Sequence, residues 1–376
     1  MRVVVAPDKF KGSVTAHEAA AELAAGIAEA RPDAVVEVLP VADGGEGTLD
    51  AALDAGFERH DLTVTGPAGD PVPAAWGRRG DEAVVEMSLA SGLAVLPTRD
   101  GHPALAPRTA TSRGTGELVA AALDAGCTRV VLGVGGSATT DGGAGMLTAL
   151  GLRLLDGHGH DLPAGGAALA DLHRVDASAL HPRIRDAEFV LAADVDNPLL
   201  GPRGAAAVFG PQKGASEQDV SDLDAALAVF RDRLADALGE PARQAADAPG
   251  AGAAGGVGYA ALAVLGAERR PGIDVVLDLV GLDAAVAGAD LLLTGEGSLD
   301  EQSLGGKTPM GVLRVGRRHG VPVVAVCGQT TLDAATLHEA GFAAVHELRT
   351  LAPDPESSMR DAPRLLREVG RRIASQ

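Results

Sequence analysis

Short apolar runs rich in Val, Leu and Ala recur along the chain, and most of them are followed by polar segments rich in glycine. Runs of this length that contain β-branched residues are typical of buried strands. The pattern predicts strands at residues 3–6, 35–39, 130–134, 189–193, 290–294, 323–326 and 344–348.

Segments with helical periodicity separate these strands. Thr15 and Glu18 form a capping-box pattern at the start of a helix that we expect to reach residue 30. A further helix is predicted to begin at residue 48, and another to end at residue 319. Complete helices are predicted at residues 117–125, 144–150, 216–238, 257–266 and 361–374. Strands that alternate with helices in this way predict an α/β fold with a parallel sheet.

The pattern changes at residue 66. Residues 66–80 contain four Gly and three Pro, and residues 74–77 and 83–87 predict antiparallel strands. The last β/α units resemble the first two, so we expect both chain ends to build one sheet. We therefore predict two domains with the active site in the cleft between them: a Rossmann-like parallel α/β domain from residues 1–66 and 285–376, and an inserted mixed α/β domain from residues 67–284.

Composition narrows the classes of function. With 51 acidic and 32 basic residues the formal net charge is −19, which argues against a nucleic-acid or anionic-membrane partner. Cys127 and Cys327 lie far apart and form no metal-ligand pattern, so they indicate a reduced compartment. We see no leader before the first strand and no apolar run long enough for a membrane span. These features predict a cytoplasmic protein, either a monomer or a homodimer.

Lysine is rare in this chain, and its positions are informative. Arginine supplies all but four of the 32 basic residues, and the lysines are Lys9, Lys11, Lys213 and Lys307. Each lies in a short motif that contains Gly or Pro, as does the lone Asn197. Because Arg is a planar fork and Lys a compact point charge, the retained lysines indicate sites that require an ammonium group.

The segment at residues 129–146 joins a predicted strand, a glycine-rich loop and the start of a helix. Glycines let the backbone approach a ligand, and a helix N-terminus adds partial positive charge, so the loop is a candidate anion site. A tight packing turn between buried elements is the alternative. The candidate phosphate-binding residues are Gly135, Gly136, Ser137, Thr139, Asp141, Gly142 and Gly143.

Three further loops place carboxylates directly after predicted strands, where open α/β sheets bind ligands. Asp43 lies in the first of these loops and Asp194 in the second, followed by Asn197. Glu296, Asp300 and Lys307 follow the strand at residues 290–294. Such groups can take Mg²⁺ or a substrate hydroxyl, and a plain polar turn is the alternative.

Two familiar nucleotide motifs match only formally. Gly250, Gly252 and Gly255 have the spacing of a dinucleotide fingerprint, but no strand precedes them, so a packing turn is the better interpretation. Lys307 lies in a Gly-Lys-Thr sequence like that of a P-loop. The earlier glycine that a P-loop requires is replaced by Glu301, which argues against a conventional Walker site.

Seven segments, taken in order, resemble motifs of the glycerate kinase type-1 family. They are P-D-K-F-K-G-S (7–13), A-D-G-G-E-G (42–47), G-G-S-A-T-T-D-G-G-A-G (135–145), D-V-D-N-P-L-L-G (194–201), Q-K-G-A (212–215), A-G-G-V-G (254–258) and G-E-G-S-L-D-E-Q (295–302). The resemblance covers nearly the whole chain, with Lys9 standing where the family often has Ser. It implies ATP-dependent phosphorylation of D-glycerate with Mg²⁺, giving 2-phosphoglycerate, with 3-phosphoglycerate as the alternative product.

Phosphoryl transfer depends on positioning and charge neutralisation, which suggests roles for these side chains. Catalytic candidates are Lys11, Asp43, Asp194 and Lys307, and Asp43 and Asp194 are also candidate Mg²⁺ ligands. Substrate-binding candidates are Ser13, Lys213, Glu296, Asp300 and Asn197. The glycine-rich loop, with the residues named above, is the candidate site for ATP phosphates.

Two other classes of function share some of these features. A nucleotide-dependent oxidoreductase would use the match at residues 250–255. A two-lobed solute-binding protein would share the two-domain architecture but would require export. Neither explains the seven ordered motifs.

Overall fold

The computed structural model describes residues 1–375 and shows an α/β protein, as predicted. Its strands are β1 (Arg2–Pro7), β2 (Val35–Val38), β3 (Glu58–Thr65), β4 (Pro71–Arg79), β5 (Glu82–Glu86), β6 (Thr98–Arg99), β7 (His102–Pro103), β8 (Arg129–Gly133), β9 (Arg153–Leu155), β10 (Arg174–Asp176), β11 (Glu188–Ala192), β12 (Glu268–Arg270), β13 (Leu291–Leu299), β14 (Val323–Thr330) and β15 (Ala344–Glu347).

The helices fall between these strands. They are α1 (Ala16–Ala30), α2 (Thr48–Asp54), α3 (Ser88–Ser91), α4 (Arg113–Asp124), α5 (Ala144–Ala149), α6 (Ala205–Phe209), α7 (Glu217–Leu238), α8 (Glu240–Gln244), α9 (Ala253–Ala263), α10 (Gly272–Leu279), α11 (Leu282–Val286), α12 (Glu301–Leu304), α13 (Thr308–His319), α14 (Ala334–Ala340), α15 (Pro355–Arg360) and α16 (Ala362–Ala374). No helix within residues 1–375 combines the length and apolarity that a membrane span requires.

The chain forms two compact units, and their bounds differ from those we expected. Unit 1 contains residues 1–43, 50–56 and 273–376, and unit 2 contains residues 44–49 and 57–272. Unit 2 begins before residue 66 because β3 pairs along its whole length with β4. Unit 1 resumes before residue 285 because Ile273 and Leu282 pack into its core.

Unit 1 is a five-stranded parallel sheet in the order β15-β14-β13-β1-β2. Strands from both ends of the chain therefore build one sheet, as predicted. Alternating side chains of β1 enter opposite layers: Val4 packs with α10, α11 and α13, whereas Val3 packs with α1 and α16. Helices thus cover both faces, the arrangement that parallel sheets require.

Unit 2 is built on a six-stranded mixed sheet in the order β12-β11-β8-β5-β4-β3. The first four strands run parallel, and β4 pairs antiparallel with both β3 and β5, which confirms the predicted antiparallel strands. An aliphatic core covers the sheet. It contains an edge-to-face pair of Phe230 on α7 and Tyr259 on α9.

Some local predictions require correction. β13 runs from Leu291 to Leu299, so Glu296 lies in a strand and not in the predicted loop. The helix expected to begin at residue 117 begins at Arg113. At residues 254–256 the backbone is left-handed, and a Cβ at Gly255 would lie 1.9 Å from the Thr139 carbonyl oxygen. The formal dinucleotide motif is therefore a buried packing turn.

Close packing of α1 on α16 generates the first prediction. A Cβ at Gly26 would lie 2.0 Å from the carbonyl oxygen of Arg367, so Gly26→Ala must push the two helices apart. We expect this variant to lose about 1–3 kcal/mol of stability, the usual cost of overpacking. Urea or thermal unfolding measures the loss.

A matched control for this variant is Gly157→Ala. Gly157 is exposed and an added Cβ meets nothing within 4 Å. We expect its unfolding midpoint to stay close to that of the wild type. Equal midpoints for the two variants would contradict the helix-contact argument.

Candidate active site

A cavity of about 370 Å³ lies in unit 1 at the carboxyl ends of β1 and β13. Open parallel sheets bind ligands at this edge. Carboxylates and cations line it together: Asp8, Asp43, Glu296 and Asp300, with Lys9, Lys11, Lys307 and Arg349. The structure thus brings together five sequence-predicted site residues: Lys11, Asp43, Glu296, Asp300 and Lys307.

Asp8 is a site residue that the sequence analysis missed. It follows β1 directly and is 9% exposed. Its Oδ2 accepts a hydrogen bond from the Thr308 hydroxyl at 2.6 Å, and its Oδ1 accepts from the Lys9 amide at 2.6 Å. Burial, with a smaller contribution from Asp43, raises the pKa of Asp8 to about 6. Asp8 could have been identified from the sequence, because it lies just after a predicted strand and beside the retained lysines.

Glu296 has a buried carboxyl oxygen, Oε1, that lacks a hydrogen-bond partner among the described residues. Burial, with a contribution from Asp8, raises the pKa of Glu296 to about 7, despite the nearby Ser303 hydroxyl and Lys307. A buried carboxyl oxygen without a donor is costly, so the site is suited to a ligand that brings a hydroxyl.

Asp300 and Lys307 lie at two successive helix starts. Asp300 caps α12, where its Oδ1 accepts from the Gln302 amide at 2.9 Å and from the Ser303 amide at 3.2 Å. Lys307 is the N-cap residue of α13, and its Nζ lies 3.4 Å from the Gln302 amide oxygen. Asp300 is thus engaged in local structure, whereas the Lys307 ammonium is held only weakly.

Ser13 does not line this cavity. Its hydroxyl donates to the carbonyl oxygen of Met359 at 2.5 Å, which ties the loop before α1 to α15. The geometry therefore gives Ser13 a structural contact and does not support the expected contact with substrate.

In unit 2, the glycine-rich loop after β8 divides into two parts. The amides of Gly135, Gly136 and Ser137 donate no hydrogen bond to any other part of residues 1–375. Gly136 is exposed with φ +68°, a backbone conformation that favours glycine. This first part presents free N–H donors, as the anion-site prediction requires.

The second part of the loop is interior, which corrects part of that prediction. Asp141 is 0% exposed, and its carboxylate accepts from the amides of Gly143 at 3.0 Å and Gly145 at 3.1 Å. The amide and hydroxyl of Ser112 each donate to it at 2.8 Å. Burial raises the pKa of Asp141, against these four donors.

The remaining candidates in the second part are used in the same way. The Gly142 amide donates to the Gly255 carbonyl oxygen, and Thr139 is fully buried. The expectation that Thr139, Asp141, Gly142 and Gly143 bind nucleotide is not supported, because their polar groups are enclosed or already paired inside the protein.

Lys213 is buried below this loop. It is 1% exposed, and its Nζ donates to the Thr139 carbonyl oxygen at 2.5 Å. Burial lowers the pKa of Lys213 to about 7, although Asp141 acts in the opposite direction. An ammonium in this position cannot reach a ligand, so Lys213 supports the loop and the expected substrate contact is not supported.

Asp194 and Asn197 follow β11, as the sequence predicts. Asp194 is exposed, and its Oδ1 accepts from the Gly272 amide at 2.7 Å. The Asn197 side-chain amide donates to the Arg203 carbonyl oxygen at 2.8 Å. Asp194 therefore keeps a solvent-facing carboxylate, whereas Asn197 closes its own turn.

A larger cavity of about 500 Å³ lies beside β15 in unit 1. It carries His346 and Arg372 among mainly apolar residues, and none of the predicted site residues lines it. Phosphoryl transfer depends on several charged groups together. Among the described residues, the larger cavity has one carboxylate, Glu347, and one permanent cation, Arg372, whereas the smaller cavity has four of each, so we place the candidate site in the smaller cavity.

Comparison with known proteins identifies the family of the chain. The model of the glycerate kinase family matches residues 3–376. The chain belongs to the glycerate kinase family. Membership of this family makes the protein a kinase.

Individual relatives cover the chain almost completely. Over 378 residues, it is 44% identical to a glycerate kinase of Bacillus subtilis (strain 168). The alignment covers 100% of this chain and 97% of the relative. It is 43% identical over 379 residues to the glycerate 2-kinase of Escherichia coli (strain K12), with the same coverage. A crystal structure of a candidate glycerate kinase 2 from Salmonella typhimurium LT2 matches with a TM-score of 0.87 and 40% identity, covering 100% of this chain and 97% of that one.

The buried carboxylate of this glycerate kinase family member generates the second prediction. In Asp141→Asn an NH₂ group replaces one carboxylate oxygen. At least one of the N–H or O–H groups that donate to Asp141 then faces another donor and loses its hydrogen bond. We expect the free energy of unfolding of unit 2 to fall by about 3 kcal/mol or more. Urea unfolding followed by hydrogen exchange measures it.

The control is Asp156→Asn. Asp156 also accepts two backbone amides, those of His158 and His160, but in an exposed turn. Water can replace its hydrogen bonds, so we expect a loss below about 1 kcal/mol. An equally mild Asp141→Asn variant would show that the interior part of the loop does not depend on this carboxylate.

Proposed function

We propose that the protein transfers the γ-phosphoryl group of ATP to the 2-hydroxyl of D-glycerate and forms 2-phosphoglycerate. The observation that carries the proposal is the unit 1 cavity, which combines four cationic side chains with buried carboxyls in a kinase family. The Escherichia coli relative named glycerate 2-kinase supports the 2-hydroxyl as acceptor over the 3-hydroxyl.

The cations of the cavity suit an anionic hydroxy acid. The protein has a net charge of −19, so an anion approaching it meets general repulsion that only local positive charge can offset. Lys11 and Lys307 are the proposed partners for the glycerate carboxylate and the transferring phosphoryl group. Arg349, a cavity residue that the sequence analysis missed, can bind a carboxylate with two parallel hydrogen bonds.

We assign the binding of the ATP phosphates to the first part of the unit 2 loop. Backbone amides without a partner in their own protein can form anion sites, and Gly135, Gly136 and Ser137 supply three in succession, of which Gly136 is exposed and Ser137 is buried. In the proposed reaction these amides bind the phosphates of ATP, and the unit 1 cavity binds glycerate.

The donor set fits Mg²⁺ held mainly by phosphates. Within residues 1–375 no three His, Cys, Asp or Glu side chains form a ready-made metal cluster. Mg²⁺ typically takes one or two carboxylates and completes its shell with water and substrate phosphates. Asp194, exposed after β11, and Asp43 are the proposed ligands, and the ion would neutralise charge on the phosphates.

Both cysteines are free and buried, which fits a reduced compartment. We therefore infer that the enzyme acts in the cytoplasm, where ATP is available.

The proposal is tested by incubating the purified protein with ATP, Mg²⁺ and D-glycerate. We expect ADP to form only with glycerate present, and carbon–phosphorus coupling in NMR spectra to place the phosphate on C2. Phosphate on C3 would refute the product assignment, and absence of ADP would refute the kinase assignment.

Lys307 gives a third prediction. Its ammonium lies in the cavity without a carboxylate ion pair of 4.0 Å or less in the described structure, so it is available for an anion. We expect Lys307→Met to lower kcat by about 10²–10³, the usual cost of removing one charged transition-state contact. Steady-state kinetics with circular dichroism as a folding check measure the effect.

Arg318→Met is the matched control. It removes an exposed positive charge from the same helix, α13, at the surface pair with Asp283. We expect turnover within about twofold of the wild type, since surface ion pairs contribute little. Near-normal turnover of Lys307→Met would remove Lys307 from the site.

A further inference from the structure

The cavity contains four carboxyl groups. Asp43 is a proposed Mg²⁺ ligand, and the hydrogen bonds of the other three distinguish them. Asp8 has one donor on each oxygen, from Thr308 and from the Lys9 amide. Asp300 accepts the two amides that begin α12. Asp8 is engaged through both carboxyl oxygens and Asp300 through its Oδ1, so the protein itself holds both groups in place.

Glu296 differs from both. It lies within β13, where its backbone pairs with Cys327 of β14, one residue beyond the last β1 pair at Gly295. Its Oε1 is buried, receives no hydrogen bond from the described residues and belongs to a side chain that lines the cavity. A hydroxyl brought by the substrate would supply the missing donor.

We propose that Glu296 is the general base that accepts the proton of the attacking glycerate hydroxyl. The assignment rests on the proposed function and selects Glu296 for this role, a residue that the sequence offered as a substrate contact and as a second candidate for the base. Asp8 is fixed by Thr308 and Lys9 at the end of the neighbouring strand.

The proposed reaction exchanges one bond to the γ-phosphorus for another. The glycerate oxygen forms a bond to the γ-phosphorus of ATP, and the bond from that phosphorus to the bridging oxygen breaks. ADP leaves with the bonding electron pair. The hydroxyl proton moves to the Glu296 carboxylate and is later released to water.

The surroundings of Glu296 favour this chemistry. Burial is the main cause that raises its pKa to about 7, and Asp8 and Asp300 add to it, while Ser303 and Lys307 oppose it. A base with a pKa near the working pH is both ionised and basic enough to take a proton. The other ionisable groups around it are Lys9, Lys11, Asp43 and Arg349 in the cavity, and Cys327 and Glu347 on the neighbouring strands.

The pH dependence gives the fourth prediction. The base must be deprotonated, so kcat/KM of the wild type should rise with pH through an apparent pKa of about 7 and then level. Glu296→Gln should lower kcat by about 10²–10⁴, and its residual rate should lack this rise. Glycerate binding, measured by calorimetry, should persist because the glutamine can still accept a hydrogen bond.

Two further variants make the test specific. Glu296→Asp keeps a carboxylate, so it should retain the rise with pH at a reduced rate. Glu301→Gln removes an exposed carboxylate nearby on α12 and should leave rate and profile unchanged.

The outcomes separate the two proposals. An active wild type with a Glu296→Gln variant of similar kcat and an unchanged pH profile would overturn the base assignment alone. Loss of both turnover and glycerate binding in Glu296→Gln, with Glu296→Asp equally unable to bind, would also overturn it in favour of a binding role. A wild type that consumes no ATP with glycerate would overturn the proposed function, and the base assignment with it.

Discussion

The architecture of unit 1 depends on the parallel pairing of β1 with β13, two strands from opposite parts of the chain. Val3 pairs with Leu291 and Pro7 with Gly295, and the Asp8 amide then donates to the Gly295 carbonyl oxygen at 2.8 Å. This register places Asp8 and Glu296 at the same edge of the sheet. A slip by one residue would turn every β1 side chain to the opposite face. The insertion of a whole unit between the strands is tolerable, because the entropy of closing a loop grows only slowly with its length.

The same edge sets the electrostatics of the candidate site. Burial of Asp8 and Glu296 disfavours their charged forms and raises both pKa values, because water is excluded from the carboxyls. Exclusion of water also strengthens the attraction between the cavity cations and an incoming anion. Perturbed carboxyls and available cations in one cavity are typical of functional sites rather than of structural ion pairs. An acidic protein can thus bind anions where its backbone and a few lysines oppose its overall charge.

Periodicity and strand-end chemistry were sufficient to predict the α/β class, the shared sheet of the chain ends and five residues of the cavity. They failed at residues whose local structure or environment is determined by tertiary contacts. Glu296 was expected in a loop because its glycine neighbours suggest one, but pairing with β14 extends the strand to Leu299, beyond the last β1 pair at Gly295. Asp8 was missed because only the fold reveals its burial and its bond to Thr308, which comes from the far end of the chain. Asp141 looked like a ligand-binding residue because a local pattern cannot show that Ser112 occupies its carboxylate.

The rarity of lysine was a sound signal, but it indicated a chemical requirement and not one kind of role. Lys307 and Lys11 line the cavity, whereas Lys213 is enclosed beneath the unit 2 loop with its ammonium on the Thr139 carbonyl oxygen. An arginine could not replace Lys213: its planar guanidinium is larger, carries five N–H donors that would need partners, and does not lose its charge on burial. Lysine can relieve the cost of burial by releasing a proton, consistent with its lowered pKa. The loop that we assign to the nucleotide is therefore held from inside by a lysine and a carboxylate, while Gly136, whose amide has no partner within residues 1–375, is exposed.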